Sequence, residues 1–198
     1  MKHPFTLLGL CGLLSTACDN VPSPPMDLEL LIVGGTIVDG TGAEGIEGDV
    51  GVVGDRIAWV GAAGEAAAPD SIDATGLVVA PGFIDVHSHT TPQIANEAFK
   101  LNEGVIRQGV TTVIGGPDGH ISAESIRRLV AAHDSIGIGT NVGYYVGHNG
   151  IRNEVMGDDQ QRAPTAAELV AMRVEVREGM EMGALGLSTG LMYEPGMF

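Results

Sequence analysis

Hydrophobic residues follow two rhythms along this chain. In the first half they fall in short runs rich in Val, Ile and Leu, at residues 28–33, 36–38, 50–53, 56–60 and 77–80. Gly34-Gly35, Asp39-Gly40, Gly54-Asp55 and Thr75-Gly76 separate the runs, so the pattern predicts short strands joined by tight turns. Val53-Gly54-Asp55-Arg56 reads as a two-residue hairpin connection. Residues 28–82 are therefore expected to form a small β module, too short for a complete sandwich.

Beyond Pro81 the rhythm lengthens. Strands are expected at 83–87, 110–114, 140–146 and 184–187, and helices at 96–108, 122–134 and 165–182. Ser122 is placed to cap the second helix. Thr165-Ala166-Ala167-Glu168 is a capping box for the third, with Leu169, Met172, Val176 and Met180 on one face and Gly183 as its stop. Strand and helix alternating at this spacing imply an α/β unit over residues 83–198, with parallel strands and right-handed crossovers.

The first 18 residues read differently. Lys2 and His3 precede an apolar run over residues 5–14, which is too short to span a bilayer and suits a signal peptide. Leu14-Ser15-Thr16-Ala17-Cys18 resembles a bacterial lipobox, although Ser15 stands where a large aliphatic residue is usual. Two readings stay open: lipid on Cys18 after cleavage, or an ordinary signal peptide with a chance cysteine. Residues 19–27, with Pro22, Pro24 and Pro25, form a stiff solvated tether. A lipid anchor would place the protein in a bacterial cell envelope, on the extracytoplasmic side, with the membrane as a partner.

Charge narrows the partners. Ten basic residues against 25 acidic ones give a net charge of −15, which repels phosphate backbones and argues against nucleic-acid binding. The same field tolerates a metal cation. Cys11 and Cys18 are the only cysteines, so the body can hold neither a disulfide framework nor a four-cysteine zinc site. A serine-triad enzyme is not expected, although Gly186-Leu187-Ser188-Thr189-Gly190 has the Gly-X-Ser-X-Gly spacing. The glycines around Gly137 and Gly139 lead into a strand rather than a helix, so they do not form a dinucleotide loop.

The sharpest candidate chemistry is Pro81-Gly82-Phe83-Ile84-Asp85-Val86-His87-Ser88-His89. Alternation along a strand puts Asp85, His87 and His89 on one side, where two imidazoles can reach one metal, and turns Ile84 and Val86 toward covering helices. Pro117-Asp118-Gly119 follows the next strand and reads either as a plain turn or as a third ligand. His148 is either a pocket residue or a structural histidine. Arg152 is either a fork for a substrate carboxylate or half of a surface salt bridge. Ser188 and Tyr193 follow the fourth strand, where Ser188 can be no more than a loop start. His120 and His133 are expected to face solvent.

The segment from Pro81 to His89 resembles the first barrel strand of the amidohydrolase superfamily. Leu31-Ile32-Val33-Gly34-Gly35-Thr36-Ile37-Val38-Asp39-Gly40 resembles the opening of that superfamily's composite β domain. Four further stretches resemble its N-acyl-D-amino-acid deacylase branch: Gly109 through Val113, Gly147 through Arg152, Arg162 through Thr165, and Gly183 through Gly196. The resemblance implies the first half of a (β/α)8 TIM barrel and hydrolysis of the amide of N-acyl amino acids, of the D series in particular. It implies one or two divalent ions such as zinc, with His87, His89 and Asp118 as ligands. Asp118 stands where the branch has a cysteine in Asn-Cys-Gly. His148, Arg152, Ser188 and Tyr193 become substrate-binding candidates.

A whole barrel takes about 250 residues. The family's remaining histidine ligands and its catalytic aspartate belong to later strands. The chain therefore reads as the N-terminal part of such an enzyme, inactive alone. The competing readings are another amidohydrolase, such as a dipeptidase, dihydroorotase or hydantoinase relative, and a non-catalytic, lipid-anchored scaffold.

Overall fold

The computed structural model describes residues 27–198. The signal segment, Cys18 and most of the tether lie outside the described residues. The chain divides into two compact units between Pro81 and Gly82.

In the first unit β1 (Leu30–Ile37) pairs antiparallel with β2 (Ile46–Val53), and β2 with β3 (Arg56–Gly61). The order is β3-β2-β1-β4, with β4 (Asp70–Asp73) and β5 (Val78–Val79) both parallel to β1. The runs at 28–33 and 36–38 are one strand, not two. The Gly34-Gly35 step does not end it but bulges it, with the register shifting between Ile32 and Gly35. β4 escapes sequence reading because Asp-Ser-Ile-Asp carries no apolar alternation. Gly54, at φ 57°, turns the expected hairpin, and Val53 faces Arg56 across it.

Leu28, Leu31 and Trp59 form the buried core on one face of this sheet. The Asp49 side chain is fully buried, and its two oxygens accept Gly34 N–H at 2.7 Å and Gly64 N–H at 2.8 Å. On the opposite face Ile32, Val52, Ile57, Val60 and Val79 line an apolar groove.

The second unit is a curled half-barrel. Its strands β6 (Phe83–Asp85), β7 (Val110–Gly115), β8 (Asn141–Gly147) and β9 (Gly186–Ser188) lie side by side in chain order, all parallel. Sequential order marks a barrel-type winding rather than a doubly wound sheet. The crossovers carry α1 (Glu103–Ile106), α2 (Ala123–Ile136), then α3 (His148–Met156) with α4 (Ala166–Glu181). Ala123, Ile126, Tyr144, Val146, Ile151, Met156, Met172 and Ala184 fill the core between strands and helices. Gly179 lets α4 lie close to β8; a Cβ there would come within 2.9 Å of Val146.

Both cap expectations hold. The Ser122 side chain accepts Ser125 N–H, and Thr165 with Glu168 closes a full capping box.

Four expectations are corrected. Residues 96–108 do not form one helix; only one turn, α1, survives. The Asn96 side chain bonds the backbone of Ala98 and Asn102 adopts φ 50°, both of which compete with a helical path. Residues 148–156, for which no element was expected, form α3. His133 does not face solvent. It is 5% exposed, with Nε2 3.0 Å from Thr91 O and Nδ1 3.3 Å from the Tyr144 hydroxyl. Burial pushes the Tyr144 phenol well above its ordinary pKa. Ile84 and Val86 are also exposed, at 62% and 59%, because the core that packs on β8 does not reach them.

Candidate metal centre

The functional side chains gather where the parallel strands end, the face on which barrel folds place their sites. β6 stops at Asp85, whose carboxylate accepts His87 N–H at 3.0 Å and bends the chain. Ser88 N–H then donates to Ile114 O at 3.0 Å, so the segment stays tied to the end of β7. His87 and His89 leave this segment with rings 5.4 Å apart and inclined at 62°.

Opposite them, a single 3-10 turn, Pro117–Gly119, follows β7 and carries Asp118. Asp118 Oδ2 lies 3.4 Å from His89 Nε2 and 3.6 Å from His87 Nε2. One donor atom from each of the three falls within 4.8 Å of the other two. The histidine side chains are 60% and 64% exposed and Asp118 is 28% exposed, so the cluster opens to one side.

These spacings suit a small divalent ion. Zinc bonds to nitrogen or oxygen run about 2.1 Å, and at a tetrahedral angle two such ligands stand roughly 3.4 Å apart. Two imidazoles and one carboxylate are also the donor chemistry that zinc and its neighbours accept. The residues therefore fit a metal of this kind.

The remaining candidates are placed unequally. The Ser188 hydroxyl donates to Gly116 O and accepts Gly119 N–H at 3.2 Å, so it is engaged with the Asp118 turn. His148 opens α3, half-buried, with Nδ1 3.1 Å from Thr189 Oγ1. Burial, then the nearby Arg152 charge, holds its pKa below the ordinary imidazole value. Its neutral form is therefore favoured.

Tyr193 is 48% exposed and packs its ring 5.4 Å from that of His120, which is exposed as expected.

Arg152 requires a correction. It is neither a surface ion pair nor an open fork, being 2% exposed. Its Nη2 donates to Gln160 O at 2.6 Å and Arg162 O at 2.8 Å, tying down the loop before α4. The apolar packing of α3 draws it inward, which its charge alone does not reveal.

Sequence reasoning missed Asn149. It is wholly buried in the first turn of α3, and its Nδ2 donates to Asp118 O at 3.4 Å and Gly190 O at 3.3 Å. Its place in the Gly-His-Asn-Gly stretch was the only available signal. Glycines let these backbones meet: a Cβ on Gly190 would sit 2.5 Å from Asp118 O, and one on Gly147 would collide with Gly119 O.

Comparison with known proteins agrees with this picture. A model described as the amidohydrolase family matches residues 70–196. A D-aminoacylase of Alcaligenes xylosoxydans xylosoxydans is 38% identical over 195 residues, covering 87% of this chain and 39% of that protein. A crystal structure of N-acyl-D-glutamate deacylase from Bordetella bronchiseptica, complexed with zinc and a phosphonate inhibitor, superposes with a TM-score of 0.78. It is 37% identical and covers 86% of this chain and 40% of that one. A crystal structure of D-aminoacylase gives a TM-score of 0.75 at 34% identity, with 86% and 40% covered. The chain thus spans about 40% of the length of these relatives. With the family model matching well over half of its residues, the chain belongs to the amidohydrolase family.

Proposed function

We propose that the protein contributes to metal-dependent hydrolysis of the amide bond of N-acyl amino acids, and of the D series in particular. The observation that carries this reading is the convergence of His87, His89 and Asp118 at the strand ends. Support for the substrate class comes from relatives named D-aminoacylase, N-acyl-D-aspartate deacylase and N-acyl-D-glutamate deacylase, at 34–38% identity.

A divalent ion held by these three side chains supplies Lewis acidity to the amide carbonyl and to the attacking water. The chain's own contribution is positional. Asp85 bends the histidine segment, and the Asp118 turn faces it. A neutral His148 can accept a hydrogen bond from a substrate polar group, and the exposed Tyr193 ring and hydroxyl can line its path. Arg152 commits its Nη2 to the loop it holds, while its buried Nε has no hydrogen-bond partner among the described residues.

Among the described residues no further His, Cys, Asp or Glu completes this cluster. Because the chain spans about 40% of the length of these relatives, the four strands alone are expected to bind zinc without turning over substrate.

Two measurements test the reading. Competition against a chromophoric chelator should show zinc binding that His87→Ala and His89→Ala each weaken by more than about 100-fold. Undiminished binding in the double variant would remove the proposed centre. Amine release from paired N-acetyl-D- and N-acetyl-L-amino acids tests the rest; zinc-dependent release by the chain itself would overturn the expectation of no turnover.

We further propose an envelope location through lipid on Cys18, supported by the lipobox-like stretch before it. No helix among the described residues is long and apolar enough to cross a membrane. Mass spectrometry of membrane-extracted protein should find diacylglycerol on Cys18, and an unmodified start elsewhere would refute the anchor.

A further inference from the structure

The turn that carries Asp118 has an uncommon backbone, and the groups that hold it come from two other strand ends. Gly116, Asp118 and Gly119 all have positive φ, at 80°, 59° and 84°. Glycine adopts such angles freely. A residue with a Cβ does so seldom, Asp being one of the more tolerant.

Ser188, at the end of β9, donates to Gly116 O and receives Gly119 N–H. Asn149, after β8, donates to Asp118 O and at the same time to Gly190 O. The carbonyl before the turn, the carbonyl of Asp118 and the N–H after it are thus each fixed from outside the turn. The His, Cys, Asp and Glu donor atoms that could hold an ion come from His87, His89 and Asp118, whereas Asn149 and Ser188 bond the backbone of the turn. Both act on the backbone whose φ aims the Asp118 carboxylate at the two imidazoles.

We propose that Asn149 and Ser188 are positioning residues for metal binding, holding Asp118 in the left-handed conformation that turns its carboxylate toward His87 and His89. This inference rests on reading those three residues as metal ligands.

The test uses the full chain and two readouts. The first is zinc affinity, by chelator competition. Asn149→Ala and Ser188→Ala should each weaken it 10–100-fold with the circular dichroism spectrum unchanged. In an Asp118→Ala background the same substitutions should change it less than about twofold, because a residue that acts through Asp118 then has nothing to act upon. Full affinity in both single variants, or equal losses with and without Asp118, overturns the proposal.

The second readout is metal-free amide exchange at Gly119, which should quicken at least tenfold in Ser188→Ala. If Asn149→Ala does not fold, Ser188→Ala decides alone, since it removes one oxygen from a half-buried side chain. If the unaltered chain binds no zinc, the metal reading falls. Exchange then judges the positioning claim by itself: faster exchange upholds the hold on the turn, and unchanged exchange refutes it.

Discussion

The β unit and the half-barrel each place an aspartate at a structural centre, and the two are used in opposite ways. Asp49 is fully buried, and both of its oxygens are taken by backbone N–H groups far apart in the chain, one in the β1 bulge and one in a later turn. At Asp118 the arrangement is inverted. Its backbone carbonyl is held by Asn149, while its carboxylate accepts no backbone N–H among the described residues and faces two exposed imidazoles. A carboxylate whose acceptor capacity is consumed by the fold is a structural joint. One whose backbone is fixed and whose oxygens are left outward is available for chemistry. Burial alone would have ranked Asp49 first; the direction of the hydrogen bonds separates the two.

Substitutions that should act on one side only can break this contrast. The largest effect is expected from Asp49→Ala, which strands two buried N–H groups. It should cost about 3–5 kcal/mol in urea unfolding while zinc affinity is unchanged. Parallel loss of zinc binding would mean that the two carboxylates are not independent. Next, Asp118→Asn keeps a residue tolerant of positive φ but removes the charge. Zinc affinity should fall more than about 100-fold, with stability within roughly 0.5 kcal/mol; a large loss of stability instead would make Asp118 a joint like Asp49.

Gly190→Ala presses a methyl group against Asp118 O. It should destabilise by about 1–3 kcal/mol and weaken zinc about tenfold, as read by the same titration. The smallest effect lies away from the cluster. Glu168 closes the α4 cap and pairs with Arg162 at 2.7 and 2.8 Å. The Arg162 guanidinium first, then the Thr165 backbone N–H, hold its pKa at about 2, below the ordinary 4.5. Its stabilisation is thus complete above about pH 4.5 and disappears as pH falls toward 2. Because the pair is only partly buried and screened by solvent the loss should be small, and Glu168→Gln should flatten that part of the acid melting curve while leaving zinc affinity alone.

The sequence was most readable where local chemistry decides the outcome. The Ser122 and Thr165 caps and the Gly54-Asp55 hairpin depend on neighbours a few residues away, and all appear as expected. His87 and His89 were legible because a spacing of two puts them on one side of an extended segment, and Asp118 because it follows the adjacent strand. What escaped depends on distant partners. Asn96 and Asn102 dissolve a helix that apolar spacing suggested, since each favours a local turn. His133 turns inward because Thr91 and Tyr144 offer it partners 42 and 11 residues away. Arg152 looks like a free cation until the 160–162 carbonyls are seen around it. Asn149 carries no chemical mark at all: its importance lies in two carbonyls, 31 and 41 residues distant.

The close approach of backbones at the strand ends also bears on how such a site can diversify. Gly147 and Gly190 stand where any side chain would strike a neighbouring carbonyl, so drift at these positions is blocked before selection for a new substrate can act on it. The adjoining stretch is different. Leu191, Met192 and Tyr193 are 64%, 87% and 48% exposed and can change with little consequence for folding. Change at this rim is thereby channelled into a few consecutive codons beside a floor that admits no side chain.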